Sequence, residues 1–546
     1  MSIRFRFLVA GGLWSALLTL SACSTGLSSP AVAQPAASKK PNIVFVLTDD
    51  QRYDAIGALD SNLDTPNMDL MVHEGVHFRN AFVTTSLCSP SRATLLTGQY
   101  MHSHGVVDNN KVDVSHLEFF PQRLQAVGYQ TAFIGKWHMG AHGDAPQPGF
   151  DHWVSFKGQG HYRPINNGQQ SWLNVNGERT PQTDYITDEL TNYAMNWLNS
   201  VDPDTPFMLY LSHKAVHADF IPAERHQDQY ADRLPDLPDS GADTPANRNG
   251  KPMWVQNQRN SWHGVDFPYH SDLDIREYRR AYNRSLSAVD ESLGEILAWL
   301  EAQGLSENTI VILMGDNGFM FGEHGLIDKR NAYEESMRVP LIMYAPSQID
   351  PGLKIDEVVA NLDIAPTILE WAGLKAPDHY EGRSMASLIE KGSDETWRDT
   401  LFYEYFWEYD FPHTPTTFAI RTPTHKLIQY HGVWDLEELY NIVDDPNEMN
   451  NLIDDPAAIE TKIELRKALF RGVQNVNGEN LIRYTERTSS GTVFRHEDRS
   501  EAAEFPDRWL RPNDAPDRTQ QFTPDSVEKI ERLGTIAVPK PAQTEK

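Results

Sequence analysis

The sequence predicts an α/β protein: a large, mainly parallel sheet sandwiched by helices, with a smaller C-terminal antiparallel-sheet subdomain. Three observations predict it. Short runs of β-branched and apolar residues read as strands buried on both faces, and stretches of helical periodicity lie between them. After Trp397, strands follow one another on short connections, the habit of antiparallel sheets. The 546-residue chain is 40% hydrophobic with 34 Gly and 34 Pro, which supplies a large core and leaves no room for collagen-like or low-complexity readings. Its 48 Lys and Arg against 76 Asp and Glu give a net charge of −28, which argues against nucleic acid or an anionic membrane surface as a partner. A locally basic pocket stays compatible with that balance.

Residues 1–22 carry Arg4 and Arg6, an apolar run over 7–20, and then Leu20-Ser21-Ala22-Cys23. That is the layout of a signal peptide, and the small residues before Cys23 resemble a bacterial lipoprotein signal in which the cysteine becomes the lipidated N-terminus. The expectation is an exported protein, lipid-anchored to the bacterial cell envelope at the outer membrane or in the periplasm or at the cell surface; ordinary cleavage after Ala31-Val32-Ala33, leaving a soluble periplasmic or secreted protein, is the alternative. Residues 23–40, rich in Ser, Pro and Ala, suit a flexible tether. Only Cys23 and Cys88 exist, so no disulfide framework holds the fold.

The catalytic domain is assigned to 41–395. Its first strand, 42–47, runs into Thr48-Asp49-Asp50; a second, 131–134, ends in Gly135-Lys136-Trp137-His138. A helix over 188–198 precedes the strand 207–211, which ends in Ser212-His213-Lys214-Ala215-Val216-His217. A long helix over 278–301 precedes the strand 309–314, which ends in Gly315-Asp316-Asn317-Gly318. Ligands of open parallel sheets sit beyond the carboxyl ends of the strands, and four strands here deliver Asp, Asn, Lys and His to that one edge. Residues 396–482 form the antiparallel subdomain, with strands at 417–422 and 425–430, and 483–546 a polar tail with Trp509-Leu510 as a possible anchor.

Asp49, Asp50, Asp316 and Asn317 offer three carboxylates and an amide oxygen. An all-oxygen set suits a hard cation, Ca²⁺ or Mg²⁺, better than zinc. The run Cys88-Ser89-Pro90-Ser91-Arg92-Ala93-Thr94-Leu95-Leu96-Thr97-Gly98 puts helix-starting residues just after Cys88, so the thiol sits at or near a helix N-terminus, where backbone N–H groups favour an anion.

This eleven-residue run matches the Cys-x-Pro-Ser-Arg and Leu-Thr-Gly signature of the formylglycine-dependent sulfatases, whose fold is alkaline-phosphatase-like. The resemblance extends to 135–140, 212–218, Asp316-Asn317-Gly318, Gly322-Glu323-His324-Gly325-Leu326, 329–341 and the run from Glu438 to Glu448. It implies that a maturation enzyme oxidises Cys88 to formylglycine, whose hydrate is the nucleophile on sulfur. One Ca²⁺ is then held by Asp49, Asp50, Asp316, Asn317 and the modified Cys88. Arg92 and Lys136 hold the diol, His138 takes a proton, and His217 and Lys329 face the sulfate and leaving group, with His217 the general acid. Lys136, His217 and Lys329 are thus also the substrate-binding residues. Val216 and Asp219 stand where many relatives have Pro, which leaves His213 as the rival of His217. His324 and Arg330 belong either at the substrate or behind the site, and the aromatic stretch 403–408 with His413 either walls the sugar site or packs the core.

The activity implied is hydrolysis of sulfate esters of a sulfated polysaccharide or oligosaccharide, either a marine algal glycan such as ulvan or a glycosaminoglycan or mucin. The alternatives are a phosphonate or phosphate ester hydrolase on the same scaffold and a non-catalytic glycan-binding surface lipoprotein.

Overall fold

The structure, a computed structural model, describes residues 40–476 except 111–112, 141–142, 166–169, 237–239, 241–246, 248, 258–273, 409–410, 412 and 432–436. The leader with Cys23, the tether up to residue 39 and the tail 483–546 lie outside the described residues. Among the described residues, no helix is long and apolar enough to cross a membrane.

In chain order the strands are β1 (Asn42–Thr48), β2 (Val76–Phe78), β3 (Ala81–Phe82), β4 (Gln130–Lys136), β5 (His152–Phe156), β6 (Trp172–Val175), β7 (Glu178–Pro181) and β8 (Phe207–Ser212). There follow β9 (Thr309–Gly315), β10 (Leu341–Tyr344), β11 (Leu353–Ile355), β12 (Val359–Ala360), β13 (Leu401–Tyr405), β14 (Thr417–Arg421), β15 (His425–Tyr430) and β16 (Glu438–Asn441). Ten of them make one sheet in the order β11-β2-β10-β9-β1-β8-β4-β5-β6-β7. β1 lies near its middle, parallel to β8 and β9. Along β1, Ile43, Phe45 and Leu47 enter one hydrophobic cluster, while Val44 and Val46 enter the cluster on the other face. Both faces are buried, so every position must be apolar, which is why the strand reads as an unbroken run.

The sheet is mostly parallel but mixed. β10 runs antiparallel to β9 and β2, and β6 and β7 close the other edge as an antiparallel ribbon. β3 and β12 pair apart from it. β13, β14, β15 and β16 form a separate antiparallel sheet, as the sequence predicts. Helix Ile459–Asn475 covers that sheet, setting Leu465 and Leu469 against Phe402, Phe418 and Leu427.

Two helices run longer than sequence suggests. Ile186–Leu198 starts two residues earlier, and Ile275–Ala302 starts at an N-cap, Asp274, whose carboxylate accepts from the Arg276 N–H. The helix Cys88–Thr97 is buried at every position and ends at Gly98 in the left-handed conformation. One glycine in the sheet has a steric reason. A Cβ at Gly135, where φ is +123°, would stand 1.8 Å from the Ser212 carbonyl oxygen, so only glycine lets β4 pass β8 just before Lys136.

Candidate active site

The ends of β1, β4, β8 and β9 meet the N-terminus of helix Cys88–Thr97. Asp49 and Asp50 leave β1, Asp50 with φ +58°, and Asp316 and Asn317 leave β9. The carboxylates of Asp49, Asp50 and Asp316 lie within 4.8 Å of one another, as do Asp49, Cys88 and His217. The Asp50 N–H donates to Asp316 Oδ1 at 3.0 Å, and Asn317 Nδ2 donates to Asp50 Oδ1 at 2.7 Å. Asn317 Oδ1 is buried without a hydrogen-bond partner among the described residues.

Cations surround this cluster. Lys136 Nζ donates to Asp49 Oδ2 and Lys329 Nζ to Asp50 Oδ1. Lys329 Nζ also lies 2.9 Å from Cys88 Sγ, and Lys136 Nζ lies 3.8 Å from it. Arg92, one turn into the helix, donates to Asp316 Oδ2 at 2.9 Å and to the Lys136 carbonyl and Ser212 Oγ at 2.6 Å each. It thereby ties the ends of β4, β8 and β9 to the helix that presents Cys88. His217 Nε2 stands 3.9 Å from Asp50 Oδ2. His138, with φ +49°, is buried beside Lys136, and its Nδ1 has no partner among the described residues.

Burial works to raise Asp49, but Lys136, His217 and Arg92 hold it well below the usual carboxylate range. Asp50 is raised by burial and by the charge of Asp49, against the pull of Lys329. Burial and the charge of Asp49 push Asp316 up to about 6. Burial lowers His138 and His217 far below their ordinary value, helped by Lys136. Burial pushes the Cys88 thiol up to about 12.

The catalytic and metal residues expected from the sequence therefore lie in one cluster, buried except for the partly exposed His217: Cys88, Arg92, Lys136, His138, His217, Lys329 and the four oxygen donors; Cys23 lies outside the described residues. His213 is elsewhere. Its Nε2 is 3.2 Å from Ser292 Oγ on the long helix, and burial pushes it down to about 4. His324 and Arg330 sit in other networks. His324 Nδ1 is 3.0 Å from Asn247 Oδ1, and Arg330 pairs with Asp328 and Glu408. The stretch 403–408 packs inward, with Tyr403 and Tyr405 fully buried on β13, and His413 is exposed.

Several groups escape sequence reasoning. Gln159 Oε1 accepts from Lys136 Nζ. The Tyr162 hydroxyl donates to the His217 carbonyl at 2.7 Å, and the Lys214 ammonium lies over the Tyr162 ring at 4.6 Å. Burial and the charge of Lys136 push Lys214 down to about 8. Lys214 was visible within the quoted strand end; Gln159 lies in a loop with no motif to signal it.

The donor set fits a hard divalent cation. Three carboxylates this close repel one another, the orphaned Asn317 oxygen adds a neutral donor, and all four are oxygens.

Comparison with known proteins agrees with this geometry. The family profile described as Sulfatase matches residues 41–374, and the one described as N-sulphoglucosamine sulphohydrolase, C-terminal, matches 322–475. The chain is 33% identical to an N-acetylglucosamine-6-O-sulfatase of Bacteroides thetaiotaomicron, covering 79% of this chain and 85% of that protein. It is 30% identical to an ulvan-active sulfatase of Formosa agariphila, over 70% and 71% of the two chains. A protein solved in complex with its substrate D-glucosamine-2-N,6-O-disulfate superposes with a TM-score of 0.71 at 31% identity, covering 81% of this chain and 99% of that one.

Proposed function

This chain belongs to the sulfatase family and is a sulfuric ester hydrolase, and from that premise we propose that it removes the 6-O-sulfate of a glucosamine-type residue in a sulfated glycan. One observation carries the chemistry. Cys88 lies fully buried at a helix N-terminus, 2.9 Å from the Lys329 ammonium and 3.5 Å from Asp49. A thiol pushed up to about 12 is almost wholly protonated at neutral pH and is a poor nucleophile as it stands. Conversion of Cys88 to formylglycine resolves that conflict. When bound, the formylglycine hydrate supplies the hydroxyl nucleophile, and a Ca²⁺ held by Asp49, Asp50, Asp316 and Asn317 supplies charge stabilisation on the sulfate.

The surrounding side chains do the rest. Lys136 and Lys329, each anchored on a carboxylate, present ammonium groups to the anionic ester. Arg92 fixes Asp316 and three strand ends in register with Cys88. His217 Nδ1 lies 3.2 Å from the Ala218 carbonyl, which places a proton there and leaves the lone pair on Nε2 beside Asp50. Burial and the Lys136 and Lys329 charges keep His217 neutral. An arriving anion offsets those charges, so His217 gains a proton with the substrate and returns it to the leaving oxygen. His138, neutral and buried, is the acceptor for the proton lost when sulfate departs.

The glucosamine-type substrate is supported by the relatives with N-acetylglucosamine 6-sulfate and glucosamine disulfate in their descriptions, each above 30% identity. Export and lipidation at Cys23 belong to the same proposal: Cys23→Ser should move the protein from the detergent phase to the aqueous phase. The enzymatic test is sulfate release from N-acetylglucosamine 6-sulfate, ulvan oligosaccharides and a matched phosphate ester, after co-expression with a maturation enzyme. Release from the amino sugar that disappears on chelation and returns with Ca²⁺ supports the proposal. Preference for ulvan or for the phosphate ester overturns it.

A further inference from the structure

Beside the catalytic centre lies a cavity of about 460 Å³ that the proposed chemistry does not use. Its walls come from three places: Phe156 and Lys157 at the end of β5, Gly160 and His161 in the following loop, and Trp172, Arg179 and Gln182 around the β6–β7 ribbon. The size falls within the range of small-molecule sites.

The loop fixes its distance from the chemistry. Gln159 accepts from Lys136 Nζ, and the Tyr162 hydroxyl donates to the His217 carbonyl. The two residues between them, Gly160 and His161, face the cavity. Phe156 is the register partner of Lys136 across β4 and β5. The cavity and the centre therefore share one wall, a strand end and a four-residue loop. Gly160 is held there by sterics: with φ at +63°, a Cβ would come within 2.5 Å of the Phe156 ring.

The lining has one sign. In a chain of net charge −28, no carboxylate lines the cavity among the described residues, while Lys157 and Arg179 do. The guanidinium of Arg179 is held by buried Asp144, with Nη2 to Oδ1 at 2.8 Å. This pairing fixes its direction. Lys157 makes no ion pair among the described residues and is exposed. Trp172 is 43% exposed, an indole held at the first position of β6, beside the edge strand β7, rather than in the core.

We infer that this cavity is a second sugar subsite. It takes the neighbour of the sugar whose ester is cleaved, with the C–H face of that ring on Trp172 and its own sulfate or carboxylate at Lys157 and Arg179. The inference rests on the glycan reading above and sharpens it: the substrate is an oligosaccharide with an anionic second residue, not a free monosaccharide.

Two arms test it. In the first, kcat/KM is measured on N-acetylglucosamine 6-sulfate alone and on a sulfated tetrasaccharide ending in that residue. The wild type should prefer the tetrasaccharide by about tenfold, a stacked ring and a screened charge being together worth that much. Trp172→Ala should bring the ratio to near one, and Lys157→Glu should lower it and remove its salt dependence. In the second arm, Cys88→Ala protein is titrated with the tetrasaccharide by calorimetry, with and without Trp172→Ala; about tenfold weaker binding is expected. An unchanged ratio and an unchanged Kd in the Trp172 variants overturn the subsite. If the wild type releases sulfate from aryl sulfates but from neither sugar, the proposed function fails, and the calorimetric arm still decides whether the cavity binds a sulfated chain.

Discussion

Two regions of this molecule bury opposite charges at similar depth, and they use them differently. One is the centre around Asp49 and Cys88. The other is the seam where segment Glu334–Met337 meets the small sheet. In the seam, Glu334 pairs with Arg421 at 3.2 Å and Lys426 at 3.1 Å, and Lys426 reaches Glu448 at 2.7 Å. Lys251 donates to the Tyr440 hydroxyl and the Glu448 carbonyl at 2.6 Å each, and its ammonium lies over the Tyr333 and Tyr440 rings. Opposite charges alternate there, Arg421 and Lys426 sharing Glu334 and Lys426 bridging on to Glu448. Glu335 makes no ion pair among the described residues, and burial, with Glu323 and Glu448 beside it, pushes it up to about 8, so it keeps its proton at neutral pH. In the centre, like crowds like: three carboxylates within 4.8 Å, and two ammonium groups on one sulfur. Buried charge by itself therefore does not mark chemistry, since a fastener needs it too. What sets the centre apart is its place: its crowded carboxylates and the orphaned Asn317 oxygen stand at the ends of two core strands, beside a thiol at a helix N-terminus.

Four measurements would break or sharpen that contrast. The largest effect is expected at Cys88. Cys88→Ala should lower sulfate release by at least ~10⁴-fold, because the nucleophile itself is gone, while the melting temperature stays close to wild type. A residual activity within tenfold of wild type would remove Cys88 from the mechanism. Next come the two histidines of the β8 strand end. His217→Ala should reduce kcat by ~10²–10⁴-fold, whereas His213→Ala should lower stability by about 1–3 kcal/mol through loss of its Ser292 contact, with kcat per folded molecule kept. The reverse outcome would exchange their roles.

In the seam, Glu334→Ala leaves Arg421 and Lys426 facing a gap. It should destabilise the fold by about 3–5 kcal/mol in denaturant titrations, without a comparable change in kcat for the folded fraction. Equal losses of both would mean that the seam is part of the catalytic apparatus. The smallest effect is at Glu335, whose folded pKa lies above its ordinary 4.5. The unfolded chain then loses this proton first. Stability contributed by Glu335 is thus full below about pH 4.5, falls as pH rises, and levels off above about 8. Glu335→Gln should flatten that part of the profile; an unaltered pH dependence of unfolding would show that Glu335 ionises normally.

How legible all this was from sequence depends on distance along the chain and on pattern. β1 is plain because both faces are buried, and Cys88 to Gly98 because helix start, arginine and glycine cap follow one another in one short run. Asp316-Asn317 is plain because it ends a strand of the same kind as the one before Asp49. The β6–β7 ribbon carries no such signal: Glu178–Pro181 is short, polar and half exposed, and its tryptophan faces a cavity rather than the core. Strand direction is equally silent, since β10 is as apolar as its parallel neighbours and yet runs against them. The seam could not be read at all. Lys251 meets Glu448 across 197 residues, and no local pattern records such a pairing.

The burial of helix Cys88–Thr97 also sets an order of events. Cys88 has no exposed surface, and every residue of its helix is covered by the rest of the domain. No second protein can reach that sulfur once the sheet has closed over it. Under the proposed chemistry, an enzyme converting Cys88 would have to meet the chain while it is still extended, so conversion would compete with folding. A molecule that folds first would then be sealed in the thiol form, stable and inactive. The active fraction of a preparation would then record which process was faster, and refolding in the presence of a converting enzyme would be the way to reset it.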